Sequence, residues 1–390
     1  MHQGKYVFAQ VMDHVVRYEF NQGVERHRGH RWMKRFSCWD QFLVMAFGQL
    51  ANRESLRDAV VCLKAHREKL YHIGFRAVLA RTTVAHANEK RDWCIWSDFA
   101  QVLIGHARLL YLDDPTFTLD LDGAVYIVDA TTIDLCLSIF PWAHFRTTKS
   151  AVKLNMALEA HGNIPAFFDI SNGNVHDVHF LDRIDYEVGA HYVMDRGYID
   201  FARLYTIHRV GAFFVIRAKD NLACRRLYSN PVDKATGVRC DQVILLIGVK
   251  TASLYPEKLR RIKYYDRETD QSYVFLTNDF TTDATTIAAL YKYRWQIELF
   301  FKWIKQHLKI KAFWGYSANA VKTQICIAIC TYLIVAIMKK QLNIDRSMYE
   351  ILQILSVSLF DKTPINTLVS EFDPQKVDDR VQKLPFLFDF

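Results

Sequence analysis

The chain has 390 residues, 51% of them hydrophobic and 14% aromatic, which excludes a disordered protein and leaves room for two or three folded domains. Its formal net charge of +8 suits a polyanionic partner without requiring one, since many mildly basic cytosolic proteins carry the same sign. Eight cysteines are scattered in mostly apolar company with no CxxC or Cys/His finger spacing, which reads as reduced, buried thiols and not as a disulfide or zinc framework.

Met1 to Val16 carries charge and no continuous apolar core, so no signal peptide is expected. Up to about residue 112 the pattern is helical. Ser37-Cys-Trp-Asp40 has the form of a capping box opening a helix over Gln41 to Leu50, where Phe42, Leu43, Ala46, Phe47 and Leu50 keep helical spacing. A second helix is expected from about Ser55 to His72, stopping near Gly74. Thr82 or Thr83 can cap a third, and a fourth covers Trp93 to Leu110. Before the first strong helix stands a basic run: Arg26, His27, Arg28, His30, Arg31, Lys34 and Arg35. Such a run is either a solvated face or a phosphate-contacting segment.

From about Leu119 the period changes. Ala124 to Val128 is a short β-rich run ending in Asp129. Lys153 to Glu159 and Pro165 to Ile170 follow as strands, with a Gly162-Asn163 turn between them. A helix is expected at about His176 to Ile184. His191 to Met194 makes another short strand, ending in Asp195-Arg196-Gly197-Tyr198, and Phe213 to Arg217 a further one. Three neighbouring strands before a helix fit the opening meander of an RNase H-like sheet, and both aspartates are expected at strand ends. Between Lys219 and Thr282 the pattern leans to β (243–247, 259–265 and 272–277). Its Arg225, Arg226, Lys258, Arg260, Arg261 and Lys263 either line a DNA path or decorate exposed strands. The apolar run from Ile325 to Met338 is short for a membrane span and reads as a buried core helix.

The most telling stretch is Tyr291 to Lys305, read as one continuous helix. At about 100° per residue, Tyr291, Arg294, Glu298 and Lys305 fall within roughly 60° of one another. Glu298 is the one acid among Lys292, Arg294, Lys302, Lys305, Lys309 and Lys311. A plain amphipathic helix with a Glu–Lys pair would also fit this pattern.

The spacing Tyr-x2-Arg-x3-Glu-x6-Lys resembles the YREK signature of bacterial insertion-sequence transposases of the DDE type, the IS-four family. Asp-Arg-Gly-Tyr after a strand resembles that family's second catalytic motif. Phe36 to Asp58 resembles its helical N-terminal domain, although Thr82-Thr83-Val84 stands where the family shows Ser-Thr-Leu. The resemblance implies an α/β fold: an RNase H-like core, a mixed sheet flanked by helices, with a β-rich insertion and an all-α N-terminal domain. On that plan residues 1–112 bind DNA, 119–219 and 284–345 form the core, 220–283 the insertion and 346–390 a helical tail.

By the same resemblance Asp129, Asp195 and Glu298 are catalytic and ligate two Mg²⁺ ions, with Mn²⁺ able to substitute. Hard carboxylate oxygens suit both ions, and two ions about 3.5–4 Å apart serve an in-line phosphodiester displacement. Tyr291, Arg294, Trp295 and Lys305 would contact DNA, Trp295 by holding an unstacked base at a hairpin end. The 219–282 segment has no Trp, which leaves a second base pocket to Tyr or Phe. The implied partners are double-stranded transposon ends and target DNA, met by a homodimer in a synaptic complex. No membrane is implied, and the implied place is the bacterial cytoplasm, at the nucleoid. A metal-dependent nuclease without strand transfer and a non-catalytic DNA-binding derivative are the alternatives. No P-loop or Ser/His/Asp pattern is present, consistent with attack by water and a DNA 3′-hydroxyl.

Overall fold

The structure, a computed structural model, describes residues 4–370 apart from 32–34, 78, 113, 116, 147–148, 220 and 311. The first part of the chain is helical: α1 (Val7–Met12), α2 (Arg17–Arg26), α3 (Cys38–Leu50), α4 (Leu56–Ala65), α5 (Arg81–Lys90) and α6 (Cys94–Tyr111). The Ser37/Asp40 capping box is formed in both directions, and every residue of α3 is buried. The second helix is shorter than its pattern suggested. Beyond Leu63 no side chain is buried until Ile73, so nothing holds a helix there, and turns run on to Gly74 at φ +106°. Thr82 and Thr83 are not caps: Ala80 takes that position, and both threonines are exposed in the first turn of α5. The basic run is partly tied inward, since Arg26 and His27 both bond the Asp98 carboxylate, at 2.5 and 2.8 Å. Lys34 lies outside the described residues.

The sheet begins with β1 (Val125–Leu135), followed by β2 (His144–Arg146), β3 (Lys149–Glu159) and β4 (Ile164–Asn172). The expected helix at 176–184 is instead a 3₁₀ stretch, Asp177–Arg183, with only Phe180 and Leu181 buried. Next come β5 (His191–Met194), α7 (Phe201–Val210) and β6 (Phe213–Arg217). β1 runs antiparallel to β3 and parallel to β5, and β5 parallel to β6; β4 lies on β3. That order is the RNase H-like core. At the β3–β4 turn Gly162 and Asn163 both have positive φ, as a type I′ turn requires, and a Cβ on Gly162 would collide with the Tyr111 ring.

The insertion strands β7 (Cys224–Asn230), β8 (Val238–Leu246), β9 (Leu259–Asp266) and β10 (Gln271–Thr277), with α8 (Val249–Leu254) between β8 and β9, continue the same sheet. β10 pairs with β6, giving the order β2-β3-β1-β5-β6-β10-β9-β8-β7. Alternate residues divide the sheet into two faces. Ile127, Val193 and Val215 belong to one core, while Tyr126, Tyr192 and Phe214 join α7's Phe201, Leu204 and Ile207 in the other. Within the insertion, Arg260 is no DNA-facing cation. It is buried and paired through two nitrogens with Asp241, at 3.0 and 2.9 Å.

Helices α9 (Ala284–Tyr293), α10 (Trp295–His307) and α11 (Ala318–Gln341) cover the first face. α11 is longer than the apolar run that announced it, and by length and composition it could cross a membrane. Its most apolar stretch is 94% buried inside the protein, and the helix packs on α1, α3, α5 and α6. Trp314 lies over Gly48 and donates to the Glu54 carbonyl. The chain then returns through α12 (Met348–Ser358) and α13 (Ile365–Val369), where the Asp361 and Leu359 carbonyls accept from the Val7 and Phe8 amides. All eight cysteines are free, but only Cys38, Cys326 and Cys330 are buried; Cys136, in the turn after β1, is exposed.

Candidate active site

The parallel pairing of β1 with β5 ends at Val128 and Met194, so Asp129 and Asp195 emerge next to each other at one rim of the sheet. Asp195 follows β5 directly, as expected. Asp129 does not end its strand: β1 continues to Leu135 along β3, and it is the parallel partner that stops. The Asp129 carboxylate accepts the Ala130 amide at 2.8 Å.

The third acid comes from α10. The stretch expected as one helix is two, meeting at Arg294. The Arg294 amide bonds the Tyr291 carbonyl, three residues back, and this tighter turn divides the two helices without any Gly or Pro. Ile297, Phe300, Phe301 and Ile304 are buried on the inner side. Tyr291, Arg294 and Glu298 reach the rim, and Lys305 reaches β1 just beyond it. The Tyr291 hydroxyl donates to Asp195 at 3.3 Å. Arg294 Nη1 lies 2.5 Å from Glu298 Oε1 and 3.7 Å from Asp129 Oδ2. Lys305 Nζ donates to the Thr132 carbonyl of β1 at 2.8 Å. Trp295, beside Arg294, is 55% exposed.

Burial pushes the Asp129 carboxyl up to about 6; the like charges of Glu298 and Asp195 add to this, against the Ala130 amide and Arg294. Burial, then Asp195, raises the Tyr291 phenol to about 12. Burial also works against the Arg294 charge, but Glu298, Tyr291 and Asp129 outweigh it and hold the guanidinium above its ordinary value. One residue here escapes a reading of the sequence as a ligand pattern. The buried Tyr198 hydroxyl has no hydrogen-bond partner among the described residues, and its phenol is held well above the ordinary range by burial and then by Asp129, Asp177 and Asp195. The signal was the Tyr of Asp-Arg-Gly-Tyr, but only the fold shows it beside both aspartates. Asp129, Asp195 and Glu298 bring carboxylate oxygens to this rim, hard donors of the kind a hard divalent cation takes.

The sequence model of the transposase DDE domain family matches residues 120–334, more than half of the chain. The chain belongs to the DDE transposases. A domain of unknown function (DUF4372) matches residues 3–76, within the helical N-terminal part. A Sinorhizobium fredii protein named as a transposase, y4zB, is 30% identical over 285 residues, 72% of this chain and 78% of its own length. A Geobacillus stearothermophilus protein named as the transposase of insertion sequence element IS5377 is 29% identical over 233 residues, 57% of this chain and 59% of its own. Among solved structures, a piggyBac transposase synaptic complex with hairpin DNA aligns over 96% of this chain and 82% of its own, at 10% identity and a TM-score of 0.44. This DDE transposase is accordingly a DNA-cleaving and strand-transferring enzyme that depends on divalent metal, with DNA as its partner.

Proposed function

We propose that Asp129, Asp195 and Glu298 are the catalytic carboxylates of this transposase and hold two Mg²⁺ ions, with Mn²⁺ as a working substitute. The observation that carries the reading is the convergence of Tyr291, Arg294 and Glu298 on the Asp129/Asp195 rim from the adjoining helices α9 and α10. When bound, the ions stabilise charge on the entering and leaving oxygens of an in-line phosphodiester displacement. The protein's own residues do the positioning. Lys305 ties α10 to β1 and so fixes the height of Glu298. Arg294 presents donors in a planar fork suited to phosphate oxygens.

Tyr291, Arg294, Trp295 and Lys305 are the contacts to the element end. The exposed Trp295 indole suits an unstacked base if cleavage passes through a hairpin. Residues 1–112 grip the ends, 119–219 and 284–345 form the core, 220–283 the insertion and 346–390 the tail. Two ends cut in concert call for a homodimer, working at the nucleoid in the cytoplasm.

The test is Mg²⁺-dependent cleavage of a fragment carrying the element's own ends, by wild type and Glu298→Gln. The expected result is cleavage by wild type, lost in the variant with DNA binding kept. Equal cleavage by both would overturn the triad.

A further inference from the structure

The Cys/His spacing of a zinc finger is absent from this chain, but folding assembles a ligand group that spacing could not show. His27, Asp92 and Cys94 come together from the end of α2, the link between α5 and α6, and the first residue of α6. An imidazole nitrogen, a thiol sulfur and a carboxylate oxygen there all lie within 4.8 Å of one another. None of the three residues belongs to the strands or helices that bring Asp129, Asp195 and Glu298 to the rim.

The donors are already aimed. His27 Nε2 sits 2.8 Å from Asp98 Oδ2, and a carboxylate only accepts, so Nε2 carries the hydrogen. That leaves Nδ1, 4.0 Å from Asp92 Oδ2, as the nitrogen that faces the group. A carboxylate on the far nitrogen is the usual support of a metal-ligating imidazole, because it fixes both tautomer and ring orientation. Arg26 holds the same Asp98 oxygen at 2.5 Å, so the support is itself anchored. Asp92 is oriented too: its Oδ1 accepts the Cys94 amide at 2.9 Å, which leaves Oδ2 towards His27. The Cys94 thiol is turned to the same carboxylate. The Asp92 side chain is 48% exposed, so water reaches a further position.

A mixed nitrogen, sulfur and oxygen set is one that Zn²⁺ takes, whereas Mg²⁺ is poorly served by thiolate and imidazole. Bonds of about 2.0–2.3 Å set the ligand atoms of a tetrahedral site roughly 3.3–3.7 Å apart, so side-chain shifts of about 1 Å close the group. We infer that His27, Asp92 and Cys94 form a Zn²⁺ site, with water as the fourth ligand and Asp98 orienting the imidazole. On binding, the Cys94 thiol gives its proton to solvent and its sulfur bonds the metal; nothing is oxidised. The ion staples the end of α2 to the start of α6 and so fixes the base of the basic run that begins at Arg26.

The test is Co²⁺ binding to the full-length protein, stripped with a chelator and kept in excess Mg²⁺. Cobalt held by a thiolate shows a sulfur-to-metal charge-transfer band in the near ultraviolet, which a centre of carboxylates cannot produce. One equivalent of Co²⁺ should raise this band and one of Zn²⁺ should remove it. Cys94→Ser should abolish the band, while Cys136→Ser, at the exposed thiol, should leave it unchanged. His27→Gln and Asp98→Asn keep the sulfur, so the band should persist at saturation with cobalt affinity lowered roughly tenfold or more. Should Cys94→Ser fail to fold by circular dichroism, these two variants decide the matter. No band in the wild type would overturn the inference and leave His27 an ion-pair residue between Asp92 and Asp98. A band that survives Cys94→Ser, or affinity unchanged in both His27→Gln and Asp98→Asn, would overturn it as well. The readout is spectral, so it stands whatever becomes of the reading of Asp129, Asp195 and Glu298.

Discussion

At the scale of single residues, the metal-free site works against the fold that carries it. Asp129 binds its proton more tightly in the folded chain, up to about 6, than an unfolded aspartate would, because burial and the neighbouring Glu298 and Asp195 disfavour its charge. The stability this group contributes is therefore full below about pH 4 and drains away as pH rises through about 6. At pH 7, without metal, Asp129→Asn should be more stable than wild type by about 2 kcal/mol, the gap closing towards pH 4. Urea unfolding in EDTA at several pH values measures this. A variant weaker than wild type at pH 7 would mean that Arg294 alone satisfies the carboxylate. Tyr198→Phe removes a buried hydroxyl with no partner among the described residues, so the metal-free fold should gain about 1 kcal/mol instead of losing any. Asp195 at the end of its short β-rich run was legible in the sequence as a local pattern, whereas the strand end expected at Asp129 was not there, since β1 runs on along β3 to Leu135. Nor was the isolation of Tyr198 legible, since it depends on neighbours drawn from three separate segments.

At the scale of elements, spacing predicted which residues meet but not the path of the backbone between them. Tyr291, Arg294, Glu298 and Lys305 share a stripe, and their contacts survive the break at Arg294. The break itself has no Gly or Pro to announce it and falls where Arg294 bonds back to Tyr291. The end of α4 at Ala65 was equally silent, because what fails there is burial and not helix propensity. Charge misled in the insertion for a related reason: a strand Arg reads alike whether it faces solvent or a buried acid. Arg260 holds Asp241 with two hydrogen bonds and also donates to the Asp279 and Thr282 carbonyls. Arg260→Ala would strand a buried carboxylate and should cost about 3 kcal/mol or more. Arg225→Ala, on the exposed edge strand, should stay within about 0.5 kcal/mol. Chemical unfolding of the two variants compares them directly, and equal small losses would return Arg260 to the solvent face.

At the scale of the whole molecule, the question is whether the N-terminal helices are a separate body or part of the catalytic one. A single hydrophobic cluster runs from α1 and α3 through α6 and α11 to Ile127, Leu154 and Phe168 of the sheet. The last described helices close this cluster from the other end. Gln10 both donates to the Thr363 carbonyl and accepts from the Ile365 amide, and Phe360 sits against Phe47 and His66. Removing residues 347–390 would take the acceptors from the Val7 and Phe8 amides and uncover α3. The expected result is faster amide exchange in α1 first, a lower melting temperature, and still one unfolding transition, because the cluster that remains spans both parts. Exchange mass spectrometry with calorimetry reads all three. Two well-separated transitions would instead show that the N-terminal helices fold on their own and reach the core by a hinge. One transition would mean that the N-terminal helices and the rim that carries Asp129 form one cooperative body joined through α11, so that any DNA those helices hold would stand at a fixed distance from that rim.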